Sequence, residues 1–263
     1  MSFSRVSKLS PCPICDKPDW CRVFADGWVE CMRVPSDKPA KSGGWMHSQG
    51  GQCPPPTARS RFQSPTVPTI NATKLHRDWL SATTPAALAA FAVELGLSVA
   101  ALVATGAAWA APYAAWAFPM ADGQGNILGI RLRNEHGKFA VRGSRQGLFL
   151  ANVTPQACLF VCEGPTDTAA AVELGLFAVG RPNCCCGGAD LRIYARRHAC
   201  RHVVLVADND KPGLDGARKV GAQIQLPWAV YVPPAKDLRD FVRMGGTRGM
   251  IENTLKGTIW QNG

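Results

Sequence analysis

The pattern of hydrophobic and polar positions changes character several times along the chain. Residues 11 to about 47 mix Cys, Trp and Pro without a sustained period, and residues 48–72 (SQGGQCPPPTARSRFQSPTVPTIN) carry almost no hydrophobic periodicity. The latter composition predicts an extended, flexible linker. From residue 73 to about 111 the pattern predicts short helices. Thr84 followed by Pro85 reads as an N-cap with Pro at the first helical position, and AALAAFAVELG then runs to a glycine stop. From Ala114 the period shortens: AWAFPMAD, ILGIRLRN and KFAVRG read as strands joined by the turns GQGN and EHG. After Pro155, apolar runs such as ACLFVCEG, LFAVGR, HVVLVADND and WAVYVPP alternate with helical stretches such as TDTAAAVELG and LDGARKVGAQI. That alternation predicts βα units, a parallel sheet and an α/β fold. No internal repeat is visible. The predicted division is 1–47, a 48–72 linker, a helical and β-rich segment 73–156, and the α/β segment 157–263.

Composition narrows the function. With 46% hydrophobic and 18% charged residues among 263, the chain can bury a core and is not globally disordered. The formal net charge of +10 favours an anionic partner, nucleic acid before a membrane surface. Leu95–Ala121 lacks charge over a membrane-spanning length, but it is mostly Ala and is broken by Gly96, Gly106, Pro112 and Pro119. Such residues contribute little to insertion, so no membrane is expected. The start of the chain has no apolar run of signal-peptide length, which predicts a cytoplasmic protein. Eleven cysteines there mean metal ligands or buried thiols rather than disulfides.

Four of them, Cys12, Cys15, Cys21 and Cys31, are spaced as a knuckle followed by two hairpin ends. Asp26-Gly27 is a hairpin turn signal between RVF and WVE, and closing that hairpin makes Cys21 and Cys31 neighbours. Four thiolates on one point suit a structural Zn2+, which a segment this small needs in order to fold. The alternatives are four free cysteines, or His47 or Cys53 in place of Cys21. Trp20, Trp28, Arg22 and Arg33 then lie on the ribbon surface, either to stack on unpaired bases or to substitute for a core.

The carboxylates carry the most information. Glu163 ends the apolar run LFVCE before a Gly-Pro turn, Asp208 and Asp210 follow VVLVA, and Asp237 follows YVPP. Strand C-termini of a parallel sheet share one rim, so these four are expected to meet there. Clustered like charges call for a hard cation, Mg2+ or Mn2+, which takes oxygen ligands and serves phosphoryl transfer. Upstream, Arg131, Arg133, Lys138, Arg142 and Arg145 are opposed only by Glu135. Arg131 and Arg133 alternate with Ile130 and Leu132 and share a strand face. With Lys211 beside Asp210, they form the candidate set for binding a nucleic-acid backbone or nucleoside triphosphates. Arg192, Arg196, Arg197 and Arg201 read as a solvated helix face. The Cys184–Cys186 loop with Gly187 and Gly188 is a candidate for close approach to phosphates, and Cys158 and Cys162 read as core.

The segments EGPTDTAAA, VADNDKPGLDGA and KDLRDFV together resemble the TOPRIM domain shared by primases, topoisomerases, OLD-type nucleases and RecR proteins, over about residues 157–250. The resemblance implies a Rossmann-like core. It maps Glu163, Asp208 and Asp210 onto the catalytic acids, Asp237 onto a third acidic position with Asp240 as competitor, and Asp167 onto a supporting one. FPMADGQGNILGIRLRNEHGKFAVRGSRQGLFL is similar to the segment before TOPRIM in bacteriophage primase–helicases. Zinc ribbon, linker, basic β-rich subdomain and TOPRIM is the primase order. It implies RNA primer synthesis on single-stranded DNA from nucleoside triphosphates, with Zn2+ structural and Mg2+ or Mn2+ catalytic. Two features depart from the pattern: the zinc ligands are not two knuckles, and no P-loop is present, so a separate replicative helicase is expected as partner. A RecR-like mediator and an OLD-type nuclease are the rivals. A topoisomerase is poorly supported, with only Tyr113, Tyr194 and Tyr231 as nucleophiles.

Overall fold

The computed structural model describes residues 3–40, 42–48, 70–183 and 186–262. Most of the expected linker, Cys53, Cys184 and Cys185 lie outside these residues. The chain divides into two compact units, Met1–Gln63 and Ser64–Gly263.

The first unit is an antiparallel sheet in sequence order: β1 (Phe3–Arg5), β2 (Arg22–Phe24), β3 (Trp28–Cys31) and β4 (Trp45–Ser48). The β2–β3 hairpin turns at the expected Asp26-Gly27. There the Gly27 N–H donates to the Phe24 carbonyl (3.1 Å) and Asp26 Oδ1 accepts the Trp28 N–H (3.3 Å). The flanking β1 and β4 are additions to the expected ribbon. The buried interior is thin: Val6 and Val29 with Cys12, Cys21 and Cys31.

The second unit opens with three helices, α1 (Ala72–Ala82), α2 (Pro85–Leu95) and α3 (Val99–Ala104). As expected, Thr84 caps α2, accepting the Ala87 N–H at 3.2 Å. Four antiparallel strands follow in order: β5 (Ala108–Ala110), β6 (Ala115–Ala121), β7 (Ile127–Asn134) and β8 (Gly137–Ala140). The helices therefore stop short of residue 111. Ala108–Ala110 is a strand because it pairs with β6, Ala108 opposite Ala117. Within the uncharged stretch, β6 is almost wholly interior. Among the described residues no helix is long and apolar enough to cross a membrane.

The α/β segment runs β9 (Phe149–Leu150), β10 (Cys158–Glu163), α4 (Pro165–Glu173), β11 (Ala178–Arg181), α5 (Gly188–Arg197), β12 (His202–Val206), α6 (Lys211–Ile224), β13 (Trp228–Tyr231), α7 (Leu238–Arg243) and α8 (Arg248–Leu255). The sheet order is β13-β12-β10-β11-β9. Four strands are parallel, as expected, but β9 runs antiparallel to β11, so the sheet is mixed. Strand alternation divides the core between two faces: Phe160 and Cys162 look one way, Leu159 and Val161 the other. The first face also takes Leu88, Phe91, Trp116 and Phe118, with Phe91 stacked on Trp116 at 4.2 Å. Segments 73–156 and 157–263 thus share one core. All four parallel strands end on the same rim, where the carboxylates lie.

Candidate active site

The rim residues are placed by the turns that follow each strand. Glu163 is the last residue of β10, and Gly164 then takes φ +83°, a left-handed turn suited to glycine, before Pro165 opens α4. Asp208 lies two residues past β12. Asp210 caps α6, its Oδ1 accepting the Gly213 N–H at 2.7 Å. A side chain at 213 would meet the Asp208 backbone oxygen at 2.8 Å, so glycine lets the first turn of α6 sit against the site. Asp237 caps α7, accepting the Asp240 N–H at 2.8 Å.

These turns frame a cavity of about 310 Å3. Glu163, Asp167, Asp208 and Asp237 line it together with Arg131, Arg133, Lys138, Arg181, Lys236 and Arg239. Asp210 does not line it, and neither does Asp240, which pairs with Arg239 and Arg243 at 3.6 Å each. Of the expected basic set, Arg131, Arg133 and Lys138 line the cavity. Arg142 and Arg145 are exposed outside it, and Lys211 is exposed and paired with Asp215 at 2.7 Å. Arg181, Lys236 and Arg239 are additions. Arg181 ends the run LFAVGR, so the rule that found the carboxylates, a polar residue at a strand exit, applies to it as well.

The cavity gathers charges of both signs. Burial raises the pKa of Asp208, and the neighbouring Asp237 and Asp210 raise it further. Burial also raises Glu163, against the pull of Arg181. Opposite, burial alone lowers Arg131, and burial with repulsion from Arg239 lowers Arg133. Among the described residues neither arginine has a carboxylate within ion-pair distance. Arg133 Nη1 donates to Thr166 Oγ1 (3.2 Å) and Arg131 Nη2 to the Pro182 carbonyl (3.4 Å), while Arg131 Nε is buried without a partner. Of the lining carboxylates, Glu163 pairs with Arg181 (3.2 Å) and Asp237 with Arg239 (3.7 Å), while Asp208 has no ion pair within 4 Å among the described residues.

No three carboxylates at the rim bring oxygens within 4.8 Å of one another; among the described residues only the cysteines converge that closely. The donor set still fits Mg2+ or Mn2+, because such ions take one or two carboxylates directly and keep several waters. The raised pKa values of Asp208 and Glu163 mark negative charge that a cation would stabilise.

Asp167 yields a prediction of its own. Its carboxylate is buried, and burial first, then Asp237, push it up to about 7, although the Arg239 N–H donates to it at 3.1 Å. A raised folded-state pKa contributes stability below the unfolded value of 3.8 that is lost as pH rises through about 7. Asp167→Asn keeps the acceptor and removes the charge. The metal-free variant melts several degrees above wild type at pH 8 and level with it at pH 4, as measured by thermal denaturation at both pH values.

In the first unit the Sγ atoms of Cys12, Cys15, Cys21 and Cys31 all lie within 4.8 Å of one another. Cys15 and Cys21 are 3.8 Å apart, close to the ~3.8 Å edge of a tetrahedron with ~2.3 Å Zn–S bonds. The Met32 N–H points to Cys21 Sγ (3.4 Å) and the Val34 N–H to Cys31 Sγ (3.3 Å), as zinc thiolates require of their surroundings. The four residues fit zinc. His47 is occupied elsewhere, its Nε2 lying 3.0 Å from the Val34 carbonyl. Trp20 is exposed, Arg22 pairs with Glu30 at 3.5 Å, and Lys38 sits over the Trp28 ring.

No protein-family model matches the sequence, and no curated protein matches it in sequence. Solved structures match in fold. The DnaG primase catalytic domain bound to single-stranded DNA aligns at TM-score 0.54 and 15% identity, over 71% of this chain and 78% of its own. The primase fragment of the bacteriophage T7 primase–helicase aligns at 0.51 and 17%, over 95% and 99%. The zinc-binding and RNA polymerase domains of Aquifex aeolicus primase align at 0.57 and 10%, over 72% and 60%. At these identities the likeness establishes the fold, which is that of primase catalytic cores.

Proposed function

We propose that this chain, built on the fold of primase catalytic cores, is a primase that joins ribonucleotides on a single-stranded DNA template by metal-dependent nucleotidyl transfer. The observation that carries the reading is the cavity, lined both by strand-end carboxylates and by Arg131 and Arg133, neither of which has a carboxylate within ion-pair distance among the described residues. A magnesium-bound nucleoside triphosphate would supply the complementary charges, a cation for the carboxylates and phosphates for the arginines.

In this reading Asp208 and Asp237, which line the cavity, hold Mg2+ or Mn2+, Glu163 completes the acidic site, and Asp210, which caps α6 outside the lining, adds negative charge beside Asp208. Arg131, Arg133 and Lys138 bind the triphosphate and the template backbone. The divalent ion, when bound, neutralises phosphate charge and lowers the barrier to attack. The reaction is attack of a primer 3′-hydroxyl on an α-phosphate with loss of pyrophosphate. The arginines orient the triphosphate, and their partial burial strengthens each contact because water competes less. The four-cysteine unit selects the template site.

The test is incubation with labelled nucleoside triphosphates, Mg2+ and a random single-stranded DNA template, with products sized by electrophoresis. Short, template-dependent RNA is expected. Template shortening without synthesis would identify a nuclease, and binding with no new product a non-catalytic mediator.

A further inference from the structure

Arg181 is the largest fully buried side chain among the described residues, and it lines the cavity with the acidic residues. It closes β11 as Glu163 closes β10, and the two are register partners in parallel strands. Side chains at matched positions of adjacent strands point to the same face, so the sheet itself sets the pair. Arg181 Nη2 lies 3.2 Å from Glu163 Oε1, and the Gly164 N–H donates to the Arg181 carbonyl at 3.1 Å, tying the two strand exits together. The guanidinium is 0% exposed and the carboxylate 17%.

A buried ion pair is weak as a stabilising device, because desolvation offsets its attraction and an apolar pair of similar volume often serves as well. Its location calls for another role. A fixed, always protonated guanidinium bound to one carboxylate oxygen leaves the second oxygen available to another partner, and Glu163 is among the residues that line the cavity.

We propose that Arg181 is a positioning residue: it holds Glu163 by Oε1 so that Oε2 faces the divalent-cation site, and it acts on the metal only through Glu163. The inference rests on the metal-holding part of the proposed function and not on primer synthesis itself. It makes a prediction opposite in sign to simple electrostatics. A cation beneath a metal site repels the metal, so its removal should tighten binding. If the cation's work is to aim a ligand, its removal weakens binding, as loss of a partner that orients a metal ligand does, by about tenfold or more.

The experiment is a Mn2+ titration followed by electron paramagnetic resonance, on wild type, Arg181→Met, Arg181→Lys, Glu163→Gln, Asp208→Ala and the double variant Arg181→Met/Glu163→Gln. The expected result is Mn2+ affinity about tenfold weaker in Arg181→Met, largely restored in Arg181→Lys, with the double variant no weaker than Glu163→Gln alone. Equal or tighter binding by Arg181→Met, or losses that add in the double variant, overturns the proposal. If Arg181→Met does not fold, as judged by circular dichroism, Arg181→Lys and Arg181→Gln decide it. Lys must stay near wild type and Gln must weaken binding, and the reverse order overturns the proposal. If wild type binds no more Mn2+ than Asp208→Ala, the acidic rim is not a metal site, and the proposed function fails together with this inference. Wild-type binding unaffected by residue 181 sinks the inference alone.

Discussion

If the chain is the proposed primase, Asp208→Ala is expected to lower primer synthesis by about a thousandfold, roughly 4 kcal/mol of transition-state stabilisation, while leaving the fold intact. Asp208 lines the cavity and stands past the exit of the interior strand β12, with Asp237 and Asp210 as its neighbouring negative charges. No other side chain can reproduce that position, because the backbone is fixed on both sides: Ala207 N–H donates to the Tyr231 carbonyl (3.0 Å) and Asn209 N–H to the Lys236 carbonyl (2.9 Å). The stability effect carries a second sign. The Asp208 pKa is raised in the fold, so without metal its charge is a cost above the unfolded pKa, and the variant should melt no lower than wild type at pH 8. Activity by template-dependent RNA synthesis and melting in chelator are the two measurements. Loss of activity with a lowered melting point would indicate misfolding; undiminished synthesis would remove Asp208 from the site.

Cys21→Ser has the second largest effect. The first unit buries little besides Val6, Val29 and three of the four cysteines, so the clustered thiols stand where a larger domain has a core. Bound structural zinc contributes about 10–16 kcal/mol of apparent binding free energy in small zinc domains. Losing one ligand therefore removes both the metal and the fold of residues 3–48. Metal analysis should fall from about one zinc per chain to near none, and the amide resonances of this unit should collapse toward random-coil positions. Primer synthesis falls because template selection is lost, while Mn2+ binding at the acidic rim persists. A Cys21→Ser protein that retains stoichiometric zinc and dispersed resonances would show that the four thiols are not its ligands.

Much of this site can be read from local rules. VVLVA and LFVC can hardly be anything but buried strands, so a carboxylate at the end of each has to emerge at the sheet rim, and Glu163, Asp208 and Asp237 do. The Asp26-Gly27 hairpin and the Thr84-Pro85 cap are likewise local, each set by side-chain chemistry within a few residues. What was not legible depends on partners distant in sequence. Ala108–Ala110 has the composition of a helix and becomes a strand by pairing with β6. Two residues of β9 have no period to read, and their antiparallel pairing with β11 makes the sheet mixed. The strand-exit rule places Arg181 at the rim, but only the sheet order, which sets β11 between β10 and β9, buries it against Glu163. The basic run divides for the same reason: Arg131, Arg133 and Lys138 lie on paired strands at the cavity, whereas Arg142 and Arg145 follow β8 and turn outward.

The central claim is that divalent metal and triphosphate share the cavity between the acidic rim and the arginine wall. A crystal structure with Mn2+ and a non-hydrolysable nucleoside triphosphate tests it most directly. The account predicts an anomalous Mn2+ peak bonded to Asp208, with the phosphates against Arg131 and Arg133. Mn2+ bound elsewhere on the chain, or a triphosphate lying outside the cavity with the rim carboxylates ligating nothing, would contradict it.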